Sequence, residues 1–317
     1  MKRKPWEEFT GKTSQTFVRE LIPSAITITQ DQLVDMKIHE SPALNVCVAY
    51  AQEELIYDDR NRTIRVDKET YAKASRHQRI NKFGLAYPKN YKLYLHKTLA
   101  EIVISAADYL YKTYGWQTIL YDGLRTVDGA FRIYNLASDE DLASGILAMP
   151  AESAHNKAMA IDSMMIDSDG REIDMGGHFD HLDMSTNMRY YNGNKISETA
   201  KRNRIIREAA FLRAAFGNGL LIAPLRNEFW DDRLPENRED LWRVLDSAAR
   251  CVGLEYTAKN KENWIYTYFL ENWRKIFTGH EEKLLEIIGH TTPPLEEKIE
   301  FYHGNYNPIY DEALTMN

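Results

Sequence analysis

An aspartate set inside an apolar run constrains this chain more tightly than any other feature. Asp162 interrupts residues 158–166, a stretch that otherwise reads as a buried strand. A carboxylate enclosed there without a partner is very costly, so the fold has to supply one. His155 stands upstream, at the mouth of the same segment. A metal ion shared with that imidazole is one solution, and a hydrogen-bonded structural pair is the other. Further along, Glu228-Phe-Trp-Asp231-Asp232 places a second acidic cluster beside aromatics. Taken alone, such a cluster is also what a helix entry or a solvated surface looks like.

Two more segments join these: Asp122-Gly-Leu-Arg125 and Asp174-Met-Gly-Gly-His-Phe-Asp180. Taken in order, the four resemble the zinc D-alanyl-D-alanine dipeptidases of the VanX type, relatives of the D,D-carboxypeptidases with the Hedgehog/DD-peptidase fold. The family pattern of Asp-Gly-x-Arg, Ser-x-His-x-x-Gly-x-Ala-x-Asp, Met-Gly-x-x-Phe-Asp and Glu-x-Trp-His is met by residues 122–125, 153–162, 175–180 and 228–231. The likeness runs from about residue 45 to about residue 235. It implies that His155 and Asp162 are metal ligands and that Glu228 is the general base. It also implies that Arg125 steadies an oxyanion, and that Ser153 and Asp180 hold the substrate's free amino end. Three positions depart from the pattern: Asp231 stands where the third ligand is His, Ala158 replaces a Gly, and Thr126 replaces a Pro.

The ligand set His155, Asp162 and Asp231 is chemically legal, because zinc accepts carboxylate oxygen as well as imidazole nitrogen and catalytic sites use three protein ligands plus water. An extra anion lowers the metal's Lewis acidity. It also moves preference from Zn²⁺ toward Mn²⁺ or another oxygen-loving ion. Asp232, His178 and His181 are the substitute ligands nearest to hand. Beside a metal and Trp230, Glu228 can have its pKa moved toward neutrality, as a proton shuttle needs. Its bland alternative is an ion pair with Arg226 or Arg233. Arg125, after the apolar run 118–121, can present a fixed donor fork to a developing oxyanion. A surface pair with Asp122 or Asp128 is the competing use.

The chain has 317 residues and a net charge of −7 with pI about 5.8, so nothing in its composition suggests the basic face that nucleic-acid binding requires. Cys47 and Cys251 form no Cys-x-x-Cys pattern and no disulfide framework. No apolar run is long enough for a transmembrane helix. The basic opening Met1-Lys-Arg-Lys is not followed by an apolar segment, so a cytoplasmic protein is expected, or a periplasmic or secreted one if a signal has been removed.

Periodicity predicts helices over 93–113, 127–137 and 196–215, the last capped by Ser197 with Glu198, Arg202 and Arg207 on its solvated face. Strands are expected over 116–124, 158–166 and 172–175, the latter two joined at Asp-Gly170 as a hairpin. Last strand pieces are expected over 220–224 and 226–230. Glu228 and Asp231 are three apart, so both reach one metal only if the chain bends or bulges between them. Residues 1–45 read as an irregular lead-in, and 236–317 as a helical, aromatic-rich extension containing Trp242, Trp264 and Trp273. The whole is expected to be an α+β fold: a metallopeptidase domain over 1–235, with a small, mostly antiparallel sheet flanked by helices, and the extension packed on it. The expected activity is hydrolysis of D-Ala-D-Ala or a related short D-amino-acid peptide by metal-activated water, with one Zn²⁺ per chain. The alternatives are a D,D- or L,D-carboxypeptidase acting on peptidoglycan stems, or a non-catalytic binding protein on the same fold.

Overall fold

Leu99, Ile102, Val103, Ala106 and Leu110 recur at helical spacing, and in the structure all five are buried along one face of a helix. That face covers the sheet that carries the acidic residues. The structure is a computed structural model that describes residues 30–143, 147, 153–181, 196–218, 220, 222–225, 227–234 and 247. In chain order its strands and helices are β1 (Leu33–Asp35), β2 (Leu44–Val46), β3 (Leu55–Tyr57), β4 (Thr63–Arg65), α1 (Lys68–Lys73), β5 (Tyr94–His96), α2 (Lys97–Tyr114), β6 (Gln117–Asp122), α3 (Val127–Leu136), α4 (Asp139–Ala143), β7 (Ala160–Ile166), α5 (Glu198–Gly217), β8 (Ala223–Leu225) and β9 (Glu228–Arg233).

The main sheet has five strands in the order β2-β6-β7-β9-β8. Its pairings are antiparallel except for the parallel β2–β6 edge. Two small antiparallel pairs, β1–β5 and β3–β4, lie outside it. The architecture is therefore α+β, a small and mostly antiparallel sheet flanked by helices. Among the described residues, no helix is long and apolar enough to cross a membrane.

β6 and β7 are buried along nearly their whole length, because helices and the neighbouring strands cover them. This explains why 158–166, Asp162 and Ser163 apart, reads as a continuous apolar run rather than as an alternating one. α3 starts at Thr126, whose hydroxyl accepts from Gly129 N at 2.9 Å. Thr thus does as an N-cap what a Pro at the helix entry does by fixing φ.

Four expectations need correction. The described part of residues 1–45 is no mere lead-in, since it supplies β1 and the first two residues of β2, an edge of the main sheet. Residues 172–175 form no strand: after the turn at Gly170 only single bridges remain, Ile166 to Glu172 and Arg62 to Arg171. The helix expected from residue 93 begins at Lys97, because residues 94–96 pair with β1 instead. Arg207 is not on a solvated face but is 1% exposed, held by a partner on β9. The proposed extension over 236–317 lies outside the described residues, apart from Ser247, whose hydroxyl donates to Glu208 of α5.

Candidate metal centre

Three neighbouring strands set three aspartates in one row. Asp122 on β6 is the register partner of Asp162 on β7, and Asp162 is the register partner of Asp231 on β9. All three are buried. Like charges placed directly opposite each other destabilise a sheet, so each must be answered by a cation or a proton.

His155 arrives from a single 3₁₀ turn, Ala154–Lys157, just before β7. Ser153 caps that turn: its hydroxyl accepts from His155 N at 3.2 Å, and Ser153 N donates to Asn156 Oδ1 at 3.2 Å. Asn156 Nδ2 donates to the Arg125 carbonyl at 2.7 Å, and Arg125 N donates to the His155 carbonyl at 2.9 Å. The two functional segments are thereby tied together through their backbones. The turn closes at Ala158 with φ 56 and ψ 24, the left-handed conformation that Gly adopts freely. Ala there carries a penalty of about 1–2 kcal/mol, which burial of its methyl group, worth about 0.8 kcal/mol, offsets in part.

The imidazole is oriented by Nδ1, which lies 2.8 Å from the Gly123 carbonyl. A carbonyl only accepts, so Nδ1 carries the hydrogen and a neutral ring presents its lone pair at Nε2, the arrangement of a metal-ligating histidine. Nε2 is 3.5 Å from Asp162 Oδ1 and 3.5 Å from Asp231 Oδ2. Both Nε2 and Asp162 Oδ1 are buried without a hydrogen-bond partner. Two orphaned acceptors 3.5 Å apart fit a divalent cation, and ligand atoms fall into two overlapping groups within 4.8 Å: Asp122, His155 and Asp162, and Asp162, Glu228 and Asp231. Asp122 is an unsuitable ligand, because its oxygens already accept from Tyr87 Oη at 3.0 Å, Gly123 N at 3.0 Å and Arg125 Nη2 at 2.7 Å.

Glu228 joins the site through an irregularity in β9. Register with β8 runs from Asp232 opposite Pro224 to Glu228 opposite Leu225, so the intervening residues of β9 bulge. Ligand atoms of Asp162, Glu228 and Asp231 consequently lie within 4.8 Å of one another. The flat-strand difficulty with a three-residue spacing disappears. Asp231 and Arg233 share a face of β9: Arg233 Nε donates to Asp231 Oδ1 at 2.8 Å, and its Nη2 donates to Oδ2. Asp232 between them points the other way and pairs with Arg207, which also donates to the carbonyls of Phe229 and Trp230 and to Ser163 Oγ. Asp232 is thus withdrawn from the candidate ligands.

Arg125 is 14% exposed at the side chain, and its fork is steadied by Asp122 rather than lying on the surface; Nη2 is also 3.7 Å from Asp162 Oδ2. Asp180 is buried at φ 62, a strained backbone for a non-glycine residue, and its Oδ2 has no hydrogen-bond partner. The hydroxyl of Ser153 is engaged with the His155 turn. His178 and His181 are drawn elsewhere: His178 Nδ1 is 2.7 Å from Glu172 Oε2, its ring stacks on Tyr57 at 4.3 Å, and His181 packs edge-on to it at 5.3 Å. Sequence reading missed Tyr50, Tyr87 and the role of Arg233. Tyr50 lies under the Arg125 guanidinium at 5.6 Å, close enough to Asp180 for the carboxylate's charge to raise its pKa. No local motif marks either tyrosine.

The sequence profile of the family described as D-ala-D-ala dipeptidase matches residues 62–242. The chain belongs to this metallopeptidase family. No curated protein matches it as a relative. Metal-dependent peptide hydrolysis is the chemistry of the family, and the metallopeptidase site carries the electrostatics that such chemistry uses. Burial alone would depress the His155 pKa, but Asp162 and Asp231 push it up to about 10 in the metal-free protein. Burial, reinforced by Asp231 and Asp162, raises Glu228 to about 8. Burial lifts Asp162 to about 6 despite His155. Asp231 goes the other way: burial opposes its charge, yet Arg233 and His155 hold it ionised well below the usual carboxylate range.

Proposed function

We propose that the protein hydrolyses a short D-amino-acid peptide, with D-Ala-D-Ala as the best substrate, using one divalent cation held by His155, Asp162 and Asp231. The observation that carries this reading is the pair of buried, partnerless atoms His155 Nε2 and Asp162 Oδ1, 3.5 Å apart and beside Asp231 Oδ2. When bound there, a zinc or manganese ion supplies Lewis-acid polarisation and a water of lowered pKa.

This chain's own side chains do the rest. Glu228, half-buried and within reach of the ligand oxygens, takes the proton of the attacking water and passes it to the leaving amine. Arg125, kept in place by Asp122, offers its donors to the carbonyl oxygen as that oxygen becomes negative. Asp180 offers a desolvated carboxylate oxygen to the substrate ammonium, with the Tyr50 hydroxyl alongside. A buried anion suited to a free α-amino group favours a dipeptide over the longer stem peptides of a carboxypeptidase.

Two measurements test this. Elemental analysis of the purified protein should find one divalent ion per chain, and Glu228→Gln should keep it while losing about 10²–10⁴-fold in kcat. D-Ala-D-Ala should be cleaved in preference to its N-acetylated form and to a tripeptide. Turnover of the acetylated dipeptide at an equal rate would move the activity to the carboxypeptidase class. A native protein that takes up no metal would leave a binding function instead.

A further inference from the structure

Arg233 occupies a place that the catalytic scheme above leaves unused. Three carboxylates, Asp162, Asp231 and Glu228, have oxygens within 4.8 Å of one another. With a neutral His155 they give the pocket three negative charges, and a dication leaves one uncancelled. Arg125 is not available to cancel it, since its Nε and Nη2 are committed to Asp122 at 2.9 and 2.7 Å. Among the described residues, Arg233 is the cation hydrogen-bonded to a member of the ligand set. It follows Asp231 by two positions on β9, so strand alternation puts both side chains on the same face. Its Nε reaches Asp231 Oδ1 at 2.8 Å and Oδ2 at 3.0 Å, while Nη2 bonds Oδ2 again. Oδ1 of Asp231 accepts from Nε and keeps a second lone pair, while Oδ2, which accepts twice, lies 3.5 Å from His155 Nε2.

We infer that Arg233 is a positioning residue for the metal ligand Asp231: its guanidinium fixes the carboxylate's orientation and cancels its charge, so that the aspartate acts electrically as a neutral ligand. The inference rests on the metal reading of the site. The Arg233 side chain is 19% exposed while that of Asp231 is 2% exposed, so the guanidinium shields the carboxylate from solvent. Asp122 and Arg125 repeat the arrangement at the other end of the same row of aspartates, two strands away. Each outer aspartate therefore has its own arginine, while the central Asp162 has His155 Nε2 at 3.5 Å and Arg125 Nη2 only at 3.7 Å. A ligand neutral by itself, such as imidazole, would have no use for Arg233. The guanidinium would then stand unpaired beside a dication.

The test is a double-mutant cycle read as zinc and manganese affinity, measured by competition with a chromophoric chelator. Wild type, Asp231→His, Arg233→Met and the double variant are compared, with Arg233→Gln as a second neutral replacement and Arg233→Lys as a charge-conserving one. Circular dichroism melts of the metal-free proteins identify any variant that does not fold. With Arg233 present, Asp231→His should weaken metal binding by about 10- to 100-fold. In the Arg233→Met or Arg233→Gln background the same replacement should cost nothing or strengthen binding, and in the Arg233→Lys background it should remain costly. An equal cost of Asp231→His in all backgrounds overturns the inference while leaving the metal reading intact. Absence of metal from wild type and every variant overturns both.

Discussion

Asp162 and Asp231 face each other as register partners across β7 and β9, and a single imidazole nitrogen lies 3.5 Å from an oxygen of each. Two buried carboxylates opposed in this way are a liability that the sheet accepts only because something positive sits between them. In the metal-free protein that something is the proton on His155. Asp162→Asn keeps the shape and removes one of the opposed charges. It should therefore raise the melting temperature of the chelator-treated protein while abolishing the increase that zinc gives the wild type. Both melts are measured by calorimetry. A variant that melts lower than wild type without metal would show that Asp162 stabilises the fold in its own right.

Metal uptake should be coupled to protons. His155, pushed up to about 10, and Glu228, raised to about 8, both hold protons at pH 7, whereas Asp162 at about 6 has mostly lost its own. Binding a dication at pH 7 should then release about two protons, and affinity should climb as pH rises toward 10. The sign for stability runs opposite. His155, Glu228 and Asp162 all have folded pKa values above their unfolded ones, so the metal-free folded state holds the extra protons and loses stability as pH rises from about 5 to about 10. The depressed Asp231 works the other way, but its contribution disappears only in strong acid, outside that window. Calorimetric titrations in buffers of different ionisation heat count the protons. An affinity that stays flat between pH 6 and pH 9 would contradict the assigned ligands.

The Arg125 fork depends on packing two layers away. A Cβ at Gly129 would come within 2.4 Å of Tyr87 Cε1, and the Tyr87 hydroxyl donates to Asp122, which holds Arg125. Tyr87 has little room to move, stacked on Tyr91 at 4.3 Å and meeting Tyr50 edge-on at 5.7 Å. Gly129→Ala should destabilise by about 1–3 kcal/mol through overpacking. It should also lower kcat more than Tyr87→Phe does, because Tyr87→Phe deletes one hydrogen bond without moving the ring. Thermal melts and steady-state kinetics on the two variants separate the effects. Equal losses in kcat would mean that the hydroxyl matters and the ring position does not.

Much of the site was legible because its parts are local. Asp122 with Arg125, and His155 with Asp162, each lie within one strand-and-turn unit, so residue type and spacing exposed them. Glu228 and Asp231 were readable as a cluster, but their joint approach depends on a bulge that no residue in β9 announces. Arg233 was visible only as a competitor for Glu228, because which carboxylate it pairs with depends on strand faces after that bulge. The missing strand at 172–175 shows the converse limit: a Gly turn and apolar residues do not say whether a ladder or a single bridge follows. Arg207 reads as solvated from its charge alone: helical geometry turns it to the face opposite Glu198, and its partner Asp232 lies on another element.

That last pair carries a prediction about how the bulge is held. Arg207 reaches from α5 to Asp232 and to the carbonyls of Phe229 and Trp230, at 2.7 and 3.0 Å, so one guanidinium fastens the bulged part of β9 that sets Glu228 relative to Asp231. Both partners are at most 1% exposed. Removing one side of such a pair strands the other, and Arg207→Met should cost about 3–5 kcal/mol. Replacing both, as in Arg207→Met with Asp232→Leu, removes the stranded charge and should recover most of that loss, since an apolar pair of similar volume can match a buried ion pair. Stability and catalysis should then part company. The double variant regains its melting temperature but not its fastening of the Phe229 and Trp230 carbonyls, so Glu228 is left less well placed and kcat stays low. Denaturant melts beside kinetics decide it: full recovery of kcat in the double variant would mean that β9 holds its bulge without Arg207.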